Sequence, residues 1–98
     1  MTHQRFLTVI ESGPESFGAF ALDIPGCIAF SASKEEIEPL FKAAAESHLQ
    51  QLAEEGEKIP IASTTEIPGL TVGIPSGAIT LKWTEIEFQD VEPAKVEV

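Results

Sequence analysis

Tyrosine is absent from this chain of 98 residues, tryptophan, methionine and cysteine occur once each, and 16 acidic side chains face only 6 lysines and arginines. Each shortage excludes something. A lone cysteine, Cys27, cannot form a disulfide within the chain, which fits a reducing compartment. Cys27 follows a turn and opens a strand-like run, so it reads as a small core residue, and no neighbouring base or cation would activate its thiol. A formal charge of −10 disfavours direct contact with nucleic acid, because phosphate binding needs a basic surface. The same charge favours a basic partner. No apolar run approaches the roughly eighteen residues of a membrane span, and Met1–Arg5 leads straight into an alternating pattern with no leader expected. The expectation is a single domain in the cytoplasm, without repeats or low-complexity tracts.

What the chain does contain is concentrated between Phe17 and Glu36. Phe17 to Ile24 is β-prone and apolar on both faces. Pro25-Gly26 then breaks the run: proline sets φ for the second position of a turn, and glycine accepts the positive φ of a type II turn. A third strand over Cys27 to Ser31 follows. Ser33-Lys34-Glu35-Glu36 has the spacing of a capping box, in which serine and Glu36 satisfy each other's amides.

Arg5 to Ile10 forms the first strand, apolar on both faces as a central strand would be. Short links make the first three strands an antiparallel meander. The spacing predicts a helix from about Lys34 to Glu54, ended by Gly56. Its apolar face would centre on Ile37, Phe41, Ala44, His48 and Leu52, flanked by Leu40, Ala45 and Leu49. Pro39 predicts a kink near residues 35–38, or a first turn separate from the main helix. Three prolines and three glycines break any pattern between Ile59 and Gly77, an excursion that wraps the surface or reaches a neighbouring subunit. Ala78 to Phe88 is the fourth strand, at the sheet edge. Its apolar residues slip phase between Trp83 and Ile86, which predicts a β-bulge near Thr84-Glu85. The fold class is α+β.

The corner Asp23-Ile24-Pro25-Gly26-Cys27, the following Ser33-Lys34-Glu35-Glu36 and the helix end Leu49 to Pro60 together resemble the HicB-like antitoxin family. The likeness covers residues 5–61 well and is loose beyond them. It implies a reduced ribonuclease-H-like fold and a protein that neutralises a small basic ribonuclease toxin, HicA-like, by steric and electrostatic occlusion. It implies neither catalysis nor a cofactor. In longer relatives a run like the tail Glu92–Val98 opens a DNA-binding module; here no operator binding by this chain is expected. An alternative is a stand-alone oligomeric regulatory or small-molecule-sensing domain with no toxin partner. Self-association as a dimer or tetramer is expected, through the fourth strand's edge or the Ile59–Gly77 excursion.

Few constellations carry chemistry. Two-metal hydrolysis would need converging carboxylates, and Glu11, Asp23, Glu46, Glu85 and Glu87 are the candidates. Glu46 points away from the apolar helix face, and no aspartate occupies the middle of the first strand. His48 lies within that face, as a core or interface residue or as a general base, and no triad partner is recognisable. Asp23, with Pro25 and Gly26, reads as a structural corner whose carboxylate accepts amides of its own turn; the other reading is a charged contact. Glu85, Glu87, Phe88, Asp90 and Glu92 form the candidate partner-binding stripe, acidic groups beside exposed apolar ones. The bland reading is a solvated strand face.

Overall fold

The computed structural model describes residues 2–88. Its elements, in chain order, are β1 (Thr2–Ser12), β2 (Phe17–Ala21), β3 (Ile28–Ser31), α1 (Lys34–Glu54) and β4 (Ile79–Phe88). The strands form one sheet in the order β3-β2-β1-β4. All three pairings are antiparallel. The meander and the edge position of β4 are therefore present, with β4 laid beside the full length of β1.

Side chains of a strand alternate between faces, and this sheet buries both. Phe6, Ala19, Ala21, Ala29, Ile86 and Phe88 meet Ile37, Phe41, Ala45 and Leu49 of α1 in the main core. On the opposite, outer face a second cluster gathers Leu7, Val9 and Leu81, with Phe20, Ile67, Leu70 and Trp83 against it. Thr8 and Thr84 are buried polar residues whose hydroxyls bond each other at 2.8 Å, joining β1 to β4.

The phase slip in β4 is not a bulge. Pairing runs without interruption from Glu11↔Ile79 to Thr2↔Phe88. Leu81 and Trp83 face outward, whereas Ile86 and Phe88 face the helix. Each half of the strand is apolar on whichever face has a cover, so the pattern changes face while the backbone stays regular. β2 is also shorter than expected. It ends at Ala21 because Ile24 donates its amide to the Ala21 carbonyl at 3.1 Å. The Pro25-Gly26 corner is as anticipated: Gly26 has φ 84°, and the Cys27 amide reaches the Ile24 carbonyl at 3.4 Å.

The helix has the expected bounds but differs in detail. Ser33 is its N-cap, yet its hydroxyl makes no capping bond and instead meets the Glu35 carboxylate at 3.2 Å. The capping box is thus not formed. α1 is one continuous element through Pro39, so no separate first turn exists. Pro39 and Glu35 are both exposed, which lets water take the carbonyl that proline cannot serve. The buried stripe is Ile37, Phe41, Ala45, Leu49 and Ala53, not the set centred on His48. A stripe repeating every four residues slopes around a helix and follows the twist of the sheet beneath. At the C-terminus Gly56, with φ 73°, donates to Ala53 O at 3.2 Å while Glu57 donates to Leu52 O at 2.9 Å, a Schellman closure.

Residues 59–77 act as a strap from the helix layer to the outer face. Ile59 and Ala62 pack on the main core. Gln4 donates to Pro60 O at 2.8 Å and accepts the Ala62 amide at 2.7 Å. Pro68-Gly69 forms a turn, with Leu70 N bonded to Ile67 O at 3.1 Å, and Ile67 and Leu70 then pack on the outer cluster. The strap ends along β4, where Gly73 N reaches Leu81 O at 2.9 Å and Ser76 N reaches Ile79 O at 2.8 Å.

Candidate functional site

Asp23 does not cap its own corner. Its Oδ2 accepts the amides of Ser63 at 2.9 Å and Thr64 at 2.8 Å, and its Oδ1 accepts their hydroxyls at 3.2 and 2.9 Å. Partial desolvation raises its pKa, but these bonds from Thr64 and Ser63 outweigh that and hold the carboxyl below the usual aspartate value. Asp23 is therefore the pin between the β2–β3 corner and the strap. Ser63 and Thr64 were not singled out by the sequence, because nothing local links them to a residue forty positions earlier.

The residues expected to form an acidic stripe are placed differently from one another. Glu85 is exposed and Glu87 half-buried, and alternation puts both on the outer face. They share that face with Arg5 and His3. Arg5 is the cross-strand partner of Glu85 and lies 5.0 Å from the Trp83 ring. His3 Nδ1 is 3.5 Å from the Glu87 carboxylate. Phe88 is only 3% exposed and belongs to the helix-side core, as does Ile86, so neither is an exposed apolar neighbour of the acids. The reason is the regular register, which turns even-numbered β4 residues under α1. Asp90 and Glu92 lie outside the described residues.

The free edge of β4 is partly covered. Lys42 and Glu46, one helical turn apart and paired at 2.9 Å, reach over it. Lys42 Nζ donates to Glu85 O, and the Glu46 carboxylate accepts the Glu87 amide at 3.0 Å. Burial raises the Glu46 pKa, but the Lys42 hydrogen bond, the Glu87 amide and the Lys42 charge bring it below the ordinary glutamate value. With the strap at Ile79 and Leu81, this leaves little of the edge open to another strand. Glu46 is thus a cover for backbone groups, while Asp23 is tied to the strap and Glu11 sits at the far end of β1. Among the described residues, no three of His, Cys, Asp and Glu gather where they could hold a metal ion.

His48 is half-buried beside the helix stripe, not at its centre. Cys27 is buried in the main core, and burial pushes its thiol pKa up, away from reactivity. A cleft of about 350 Å³ lies between the start of α1 and the end of the strap, lined by Ile10, Phe17, Lys34, Glu38 and Lys82. Lys82 is paired there with Glu38 at 3.5 Å.

The sequence also missed an exposed apolar patch. Phe30 is 64% and Ile28 54% exposed on the outer face, and Leu22, just past the end of β2, is 55% exposed. Phe30 lies over Gly18 of β2, where an added Cβ would sit 3.3 Å from the ring. The run Cys27 to Phe30 reads as an apolar, β-prone strand; only its Cys27 and Ala29 side is covered.

No helix among the described residues is long and apolar enough to cross a membrane. No protein-family model and no curated protein matches the sequence. Solved structures do. A chain of a "HicA3 and HicB3 toxin-antitoxin complex" superposes with a TM-score of 0.59 at 21% identity, over 88% of this chain and 99% of that one. An "Antitoxin HicB3 crystal structure" gives a TM-score of 0.59 at 21% identity, over 97% of this chain and 67% of that one. The resemblance read from the Asp23–Cys27 corner and the helix end is thus met in three dimensions: the chain has the α+β fold of HicB-like antitoxins.

Proposed function

We propose that this chain is an antitoxin-like inhibitor that binds a small basic ribonuclease and occludes its RNA-facing surface. The observation that carries the reading is the fold shared with a chain from a toxin–antitoxin complex along 88% of this protein's length. Charge supports it. A protein of formal charge −10 attracts a basic partner over about a Debye length and accelerates their encounter. The work is done by coverage, with no bond made or broken by this chain. The partner contacts the outer face around Glu85 and Glu87; Asp90 and Glu92 follow them in the sequence. Phe88 contributes by anchoring β4 to the helix.

The test is co-purification with the product of the neighbouring gene, read against RNA cleavage by that product. Wild-type chain in excess suppresses cleavage, and inhibition weakens as salt rises. The double variant Glu85→Lys/Glu87→Lys loses about tenfold or more in affinity through lost steering and new repulsion. Undiminished cleavage with excess wild-type chain overturns the function. Unchanged affinity of the double variant overturns the placement of the contact on β4.

A further inference from the structure

The two edges of the sheet are treated differently. The β4 edge is occupied by the strap at Ile79 and Leu81 and by Lys42 and Glu46 at Glu85 and Glu87. β3 is the other terminal strand, and no described strand pairs with its outer side. An open edge offers a row of backbone donors and acceptors to another strand. Ile28 and Phe30 of this edge strand, on the outer face, and Leu22 in the corner before it are each more than half exposed. A contiguous apolar patch beside an unpaired strand marks an interaction surface.

Charge selects the occupant. The chain carries 16 acidic and 6 basic side chains, yet the segment from Ile24 to Ala32 contains none of either. A strongly basic partner gains nothing from this neutral stretch. Two copies of an acidic protein meet with less repulsion across such a stretch than across an acidic one. A strand pairing with its own copy about a twofold axis runs antiparallel, the geometry already used throughout this sheet. We infer that the β3 edge, with Leu22, Ile28 and Phe30, is a homodimer interface in which β3 pairs with β3 of a second copy to extend the sheet. This replaces the edge of β4 as the place of self-association, and it does not rest on the proposed antitoxin role.

Sedimentation velocity across roughly 1–100 µM tests it, the range in which weak dimers change population. The wild-type chain sediments at twice its 10.5 kDa mass at the upper end. Ile28→Glu and Leu22→Glu each weaken the dimer about tenfold or more by setting like charges across the axis, while Glu85→Lys/Glu87→Lys leaves it unchanged. Far-UV circular dichroism establishes that the variants are folded. Hydrogen exchange on the unmodified protein supplies a readout independent of them: the outward amides of Ile28–Ser31 gain protection as concentration rises. A wild-type monomer at the top concentration, folded variants that dimerise as well as wild type, or no concentration-dependent protection of β3 each overturns the proposal.

Discussion

At the residue scale, Asp23 shows how one carboxylate can hold a long irregular segment. Its four bonds to Ser63 and Thr64 replace water with two amides and two hydroxyls, all donating to an anion. Asp23→Asn keeps the shape but removes the charge and some acceptor capacity. Loss of charge-assisted bonds at a partly exposed site costs about 1–2 kcal/mol. The expected result is a lower urea midpoint, with faster amide exchange confined to Ser63, Thr64 and their neighbours. The pH dependence has a definite sign. The folded pKa of Asp23 is depressed, so the folded chain releases this proton more readily than the unfolded one. Its contribution is complete above the unfolded value of about 3.9 and is lost as pH falls through the lower folded value. Wild type and Asp23→Asn therefore differ most near neutrality and converge on acidification, as paired urea titrations would show. The partners of Asp23 were invisible in the sequence because an aspartate before Pro-Gly has a ready local explanation, and the structure chooses a distant one.

At the element scale, α1 was the most legible part of the chain. Ser33, the periodic apolar residues and Gly56 bracket it, and each signal acts within a few residues of itself. The face it buries was less legible. An ideal wheel places His48 beside Phe41, whereas the twisted sheet selects the sloping stripe from Ile37 to Ala53. β4 carried the converse difficulty. Its alternation changes face because two covers lie on opposite sides, and the strap that forms one of them has no periodic pattern to announce it. Pro39 provides the test here. It occupies an exposed position inside an unbroken helix, where it removes one backbone bond. Pro39→Ala restores the donor without disturbing the core, and helix propensity favours alanine by up to about 3 kcal/mol in a full interior position. Near the first turns the gain is smaller, about 1–2 kcal/mol. A raised midpoint with unchanged denaturant slope is expected; a destabilised variant would show that the proline ring packs usefully where it stands.

At the scale of the whole molecule, one sheet separates two different covers. The helix seals one face with a continuous apolar stripe; the strap starts on that side, pinned at Gln4, is pinned again to the β2–β3 corner at Asp23, and covers part of the other face with Ile67 and Leu70. Leu22, Ile28 and Phe30, beside that pinned corner, stay exposed. The legible part of the candidate site, the acids on β4, was local in sequence. The apolar patch was not, because its exposure depends on where the strap stops. The pairing of Thr2 with Phe88 has a consequence of another kind. The first and last described residues are ladder neighbours, so a short linker in place of residues 89–98 could join one to the other. Fresh termini could then be opened in the exposed bend at Gly13–Ser16, where no core contact is severed. Such a circularly permuted chain should refold to the same sheet, with its β1–β4 pairing turned into a covalent hairpin.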